Sequence, residues 1–339
     1  SGGFERTSVF SFSLFQKNRI FSAKFSHESA DEEGMLTDTV SPEPRCKPLS
    51  LRQIEFALEN CPCLPSLGSI DGALKGLLSA DHRYTSQIAE IIRRDPSLTL
   101  RLLRLVNSVY YGRGEEAKSI EEAVFFLGVR QIRELAMITP VIEDLQRLGG
   151  NHRFAWRDLW RHCIGTAILT REIIHLAQST NEDLHYLGGL IHDVGKIVMA
   201  AAFPKHFDAI HQRHQETGED LLLIEMEILG MDHTDLGAFY LRKQNLPQVF
   251  VAVAQFHHQP ETANNHKVVV AAVHVADLVV RHARIGHSGN HAVVEEDSWL
   301  ETAGWKILFE NQTEAGRAIT HASLKRKLER IPSILEGLV

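Results

Sequence analysis

No cysteine framework runs through this chain of 339 residues: its four cysteines, Cys46, Cys61, Cys63 and Cys163, form no CxxC pair and no zinc-type spacing. That excludes a disulfide-stapled fold and makes a reducing, cytoplasmic compartment the default. No apolar run is long enough to span a bilayer, so no membrane association is expected. There is no excess of positive charge either. The net charge is −7 and the pI near 6.2, which argues against a protein whose task is to coat nucleic acid. A secretory h-region is missing as well. Over residues 50–150 no strand pattern competes with the helical ones.

What remains is an ordinary globular composition, 44% hydrophobic and 23% charged, with one outlier. Of 19 histidines, 17 lie beyond residue 150, which suggests a metal or acid–base site in that half. The first 45 residues, rich in Phe and Ser with scattered Arg and Lys, loosely match a transit-peptide composition. The opening Ser-Gly-Gly reads as a tag remnant, and residues 1–48 are expected to be a disordered tail and linker. Residues 49–150 then form an N-terminal helical part, 151–285 a second helical subdomain, and 286–339 a C-terminal helical extension. The fold class is all-α.

In the first part, helices are expected over 51–59, 69–79, from Ser86, from Asp95-Pro96 to Val109, and over 130–138. Ser119-Ile120-Glu121-Glu122 fits a capping box. Residues 120–136 have the outline of a helix-turn-helix, but acids nearly balance bases there. An ordinary helical corner is preferred, and DNA is not the expected partner.

The second part holds the chemistry. In Leu190-Ile191-His192-Asp193-Val194-Gly195-Lys196, a histidine and an aspartate sit side by side in a helical run, 183–201. Leu187, Leu190, Ile191, Val194 and Val198 recur at helical spacing and bury it. A carboxylate in such a place needs a partner. Two readings are open: a metal-ligand pair, or Asp193 held by Lys196 with His192 bonded to a backbone carbonyl. Further helices bring similar residues to apolar faces: Asp158 and His162 on 156–177, His233 after a cap at Asp232, His257-His258 at the end of 248–258, and Asp277 on 267–284 beside Val270, Val273, Ala276 and Val280. That recurrence favours metal, because helical bundles build dinuclear centres from ligands projecting inward from facing helices. His206, His211 and His214, on a polar segment over 203–218, are read as surface residues. So is the basic patch Lys325, Arg326, Lys327 and Arg330, taken as a solvated helix face.

Asp158-x3-His162, His192-Asp193-Val-Gly-Lys196, His233-x3-Gly237, His257-His258 and Asp277 together resemble the HD superfamily of metal-dependent phosphohydrolases. Upstream, residues 91–98, 102–108, 110–112, 119–123 and Leu127-Gly128 resemble the leading helices of its HDOD branch. The resemblance runs from about Leu64 to Asp277. It implies an all-α bacterial signal-transduction protein in which His162, His192, Asp193 and Asp277 hold a metal. His233, His257 and His258 match extra ligands of the HD-GYP phosphodiesterases, which cleave cyclic di-GMP, and Asp158 stands where those enzymes have a glutamate ligand. Lys196 matches their substrate-phosphate lysine. Gln259-Pro260-Glu261 follows the His pair in place of Gly-Tyr-Pro.

Two divalent transition-metal ions bridged by Asp193 would activate water and polarise a phosphoryl oxygen, with Asp193 and Lys196 as the catalytic residues. Mixed His and carboxylate ligation suits iron, manganese, nickel or zinc. A nucleotide or cyclic dinucleotide and a signalling protein are the expected partners. The alternative is a non-catalytic regulatory module.

Overall fold

A computed structural model describes residues 46–61, 117–125, 154–177, 185–244 and 246–336, with isolated positions between 92 and 107. The expected tail over 1–45, the helices over 69–79 and 130–138 and the corner at Gly128 lie outside the described residues. The described chain is helical and contains no strand, so the all-α expectation holds. No single described helix is long and apolar enough to cross a membrane.

Helix α1, Leu51–Glu59, begins at Ser50 with a capping box closed by Gln53. The Ser119 hydroxyl accepts the Glu122 N–H, as the expected box requires, but the Glu122 carboxylate takes the Lys118 N–H. The centre of the fold is α2, Trp156–Leu176, which packs along α3, His185–Ile191, and α9, Lys267–His282. Helix α4, Val194–Ala202, is crossed by α7, His233–Lys243, which also packs on α8, Gln248–Phe256. In chain order α5, Pro204–Thr217, and α6, Leu221–Ile228, follow α4 and precede α7, and α5 packs on both α4 and α6. Helix α10, Ala303–Phe309, lies on α9, and α11, Glu314–Glu336, on α2. The stripes expected to face inward do so: Leu187, Leu190, Val194 and Val198, and likewise Val270, Val273, Ala276 and Val280, are all buried.

Two elements differ from the sequence expectation. The single helix over 183–201 is broken at His192-Asp193. The His192 ring donates from Nδ1 to the Gly189 carbonyl (2.8 Å), the acceptor a continuous helix offers to the Asp193 N–H. Helix α5 exists, but it is not a surface element throughout. Phe207, Ile210 and His214 form a buried stripe; His214, expected at the surface, is 1% exposed, and His211, also expected there, packs its ring against Phe154 and Phe207. The His214 ring is satisfied at both ends, donating to the Glu219 carbonyl (2.6 Å) and accepting the His291 N–H (2.9 Å). Both partners come from loops that α5's own sequence does not reveal. The basic patch on α11 is partly neutralised, since Lys325 pairs with Glu296 and Lys327 with Glu172.

Candidate metal centre

Close helix approach builds the site, and glycine permits it. An added Cβ at Gly195 would lie 1.8 Å from the His233 carbonyl oxygen, and one at Gly237 would lie 3.0 Å from the Gly195 nitrogen. Helices α4 and α7 therefore cross backbone to backbone, which brings Asp193 and His233 together. One layer over, a Cβ at Gly189 would meet the Ala167 Cα at 2.6 Å, so α3 seats His192 against His162 of α2. The Asp232 carboxylate caps α7 by accepting the Asp235 N–H (3.0 Å) and the Thr234 hydroxyl (2.6 Å), which orders the turn carrying His233.

The imidazole Nε2 atoms converge on two carboxylates. His162 Nε2 lies 3.0 Å from Asp277 Oδ1 and 3.4 Å from His192 Nε2. His192 Nε2 is 3.4 Å from Asp193 Oδ2. The other oxygen, Oδ1, faces His233 Nε2 at 3.4 Å and His257 Nε2 at 3.7 Å. His258 Nε2 is 3.3 Å from His233 Nε2. Three ligand groups result, each with donor atoms within 4.8 Å of one another: His162, His192 and Asp277; His192, Asp193 and His257; and His233, His257 and His258. All of these side chains are buried except that of His258, which is half-buried.

The rings' other nitrogens decide what the centre lacks. His192 donates from Nδ1 to the Gly189 carbonyl (2.8 Å), and His257 to the carbonyls of Val253 (3.1 Å) and Ala254 (3.0 Å). His233 donates from Nδ1 to Glu225 Oε2 at 2.7 Å. With those protons committed outward, the inward Nε2 atoms present lone pairs to carboxylate oxygens and to one another. Asp193 Oδ1 and His257 Nε2 face each other without a hydrogen-bond partner. Around the converging rings the carboxylates of Asp193, Asp277 and Glu225 stand against two cations, Lys196 and Arg281, while a fourth buried carboxylate among the described residues, Asp232, is used in capping α7. A divalent ion meets both deficits, and the donor set of imidazole and carboxylate fits a transition metal.

The protonation equilibria show the same tension. Burial pushes His257 down to about 3 and His258 well below its ordinary value, the neighbouring histidines adding to the effect. Burial also lowers His162, partly offset by Asp277. For Asp193, burial acts upward, but Lys196 and then His192 outweigh it and hold the carboxyl well below the usual range. Asp277 is held down likewise, its burial outweighed by His162 and Arg281. His192 is raised: burial pulls it down, but Asp193 outweighs that desolvation.

The bonds of the second reading of His192-Asp193 are present, and they do not remove either side chain from the candidate ligand set. Lys196 Nζ donates to Asp193 Oδ2 at 2.7 Å and is 2% exposed, and His192 is bonded to a carbonyl, yet both also belong to the converging set. Asp158 stands apart from it. Its side chain is 43% exposed, pairs with Arg161 (3.6 Å), and belongs to none of the three ligand groups. It occupies the first turn of α2, one turn short of the depth that His162 reaches.

Sequence reasoning missed three residues that shape the centre. Glu225 sits in an otherwise apolar helix eight residues before His233, with Glu227 two residues on, and a carboxylate within the apolar run was the available signal. His274 donates from Nδ1 to the His257 carbonyl (2.7 Å). Arg281 lies 3.8 Å from Asp277 Oδ2 and also donates to the Ala292 carbonyl (2.9 Å).

Comparison with known proteins identifies the fold and the family. An uncharacterised protein from Treponema pallidum is 26% identical over 200 residues, 58% of this chain but only 38% of its own length. Among solved structures, an HDOD domain protein of unknown function from Geobacter sulfurreducens superposes with a TM-score of 0.70 at 23% identity, over 85% of this chain and 98% of that one. A protein from Shewanella amazonensis SB2B, provisionally named a phosphohydrolase, gives a TM-score of 0.64 at 21% identity, over 84% and 98%. At these identities the likeness is one of fold. The HDOD domain profile matches residues 64–260, more than half the chain and every member of the cluster except Asp277, so the chain belongs to the HDOD family.

Proposed function

We propose that this is a cytoplasmic signal-transduction protein whose His/Asp cluster holds two divalent transition-metal ions and hydrolyses a phosphoester of a nucleotide or cyclic dinucleotide. The observation that carries the reading is the convergence of four imidazole Nε2 atoms on Asp193 and Asp277, with a fifth, that of His258, against His233 Nε2. His162, His192 and Asp277 would hold one ion, and His233, His257 and His258 the other. Asp193 lies between them, with one oxygen towards each group. When bound, such ions polarise a phosphoryl oxygen and activate water. The half-buried His258 marks the edge where the cluster meets the surface. Lys196 neutralises Asp193, and the free thiols of Cys46, Cys61 and Cys163 suit a reducing compartment.

A second reading has its own support. Lys196, the cation that the resemblance assigns to a substrate phosphate, is sealed against Asp193. A closed centre of this kind suits a regulatory module that binds a protein or nucleotide partner without turnover. Metal-loaded protein assayed against cyclic dinucleotides, nucleotides and a generic phosphodiester separates the two. Turnover that disappears in His192→Ala supports the enzyme. Its absence with every substrate supports the module.

A further inference from the structure

The two proposed metal positions are built differently. One contains the carboxylate of Asp277; the other, formed by His233, His257 and His258, is three imidazoles with only the shared Asp193 Oδ1 nearby. Behind that second position stands Glu225, 1% exposed. One of its oxygens, Oε2, accepts both the backbone N–H of His233 (2.8 Å) and its ring Nδ1–H (2.7 Å). That grip fixes the imidazole relative to its own main chain. His192 and His257 donate instead to neutral carbonyls. The second oxygen of Glu225, Oε1, is buried without a hydrogen-bond partner, and the carboxylate's one ion-pair contact among the described residues is His233. A carboxylate so buried is costly unless its charge is met. The imidazole of His233 separates it from the Nε2 cluster, where a cation would meet that charge.

We infer that Glu225 is the positioning residue of the second metal site: it orients His233 and supplies, through the ring, the anionic charge that the three-histidine position lacks. A carboxylate behind a ligating imidazole raises its basicity, and losing such a partner weakens metal binding by roughly 10- to 100-fold. The inference rests on the dinuclear reading above, and its test separates the two. Full-length protein, stripped of metal, is equilibrated with manganese or zinc at a series of chelator-buffered concentrations, and bound equivalents are read by elemental analysis. Wild type is expected to take up two. In Glu225→Gln, which preserves the shape and can keep both hydrogen bonds, the first equivalent is expected unchanged and the second to need about 10- to 100-fold more free metal. Metal-free melting and circular dichroism of the same variant report folding. A purely structural role would lower the melting temperature and leave both affinities alone. Two equivalents bound by Glu225→Gln at wild-type concentrations overturn the inference; fewer than two in wild type overturn the dinuclear reading instead. If Glu225→Gln does not fold, Glu225→Asp, which keeps the charge at shorter reach, is titrated in its place. A weakened second equivalent is then expected, and an unweakened one overturns the inference.

Discussion

Gly195 carries the most contact-critical position outside the cluster itself. Helix propensity favours alanine over glycine by about 1 kcal/mol, yet a Cβ here would sit 1.8 Å from the His233 carbonyl oxygen. The clash falls on backbone, which cannot swing aside, and overpacking of this kind costs roughly 1–3 kcal/mol or more. Gly195→Ala is therefore expected to lower stability in urea denaturation and, by separating Asp193 from His233, to weaken metal uptake. The buried histidines make a second residue-level prediction. His211, packed against Phe154 and Phe207, and His257 are each pushed down to about 3, by burial first and then by neighbouring positive charge. Below about pH 6.5 the unfolded chain binds protons that the folded chain refuses, so stability falls as pH drops, by up to about 1.4 kcal/mol per pH unit for each ring. His192 is raised and opposes this: its contribution is present below its unfolded value and lost as pH rises through the folded one. Asp193 and Asp277 are depressed, so their contribution is lost only as pH falls through folded values well below 3.8. The melting temperature of metal-free protein is expected to fall between pH 7 and pH 5; a flat or rising profile would contradict this balance.

At the scale of elements, α7 shows how a short capping signal places a candidate ligand. Asp232→Ala removes the acceptor of the Asp235 N–H and the Thr234 hydroxyl, at a cost of about 1–2 kcal/mol, and loosens the turn that carries His233. Lower thermal stability with weaker metal uptake is the expected outcome. Helices α1, α2, α7 and α9 were legible in the sequence because each carries a strong apolar period between clear breakers. The candidate ligand positions on them were legible because a polar residue interrupts such a stripe at His162, His233 and Asp277. What was not legible depends on contacts between elements. The break at His192-Asp193 follows from a ring-to-carbonyl bond and from the approach of Gly189 to Ala167. The burial of His214 depends on Glu219 and His291, and the grip of Glu225 on His233 depends on the turn between α6 and α7.

For the whole molecule, the C-terminal elements brace the centre instead of hanging from it. An added Cβ at Gly304 of α10 would lie 2.6 Å from the His274 ring, whose Nδ1 holds the His257 carbonyl, and Arg281 ties Asp277 to the loop at Ala292. Metal binding and global stability should therefore be linked. Metal at 100 times its dissociation constant stabilises the native state by about 2.7 kcal/mol per site, readable as a rise in melting temperature that chelator reverses. The most direct test is the metal content of protein purified without chelator. The expected result is roughly two transition-metal ions per chain, as for other dinuclear centres built inside helical bundles. Protein that folds, melts cooperatively and carries no stoichiometric metal would contradict the central claim.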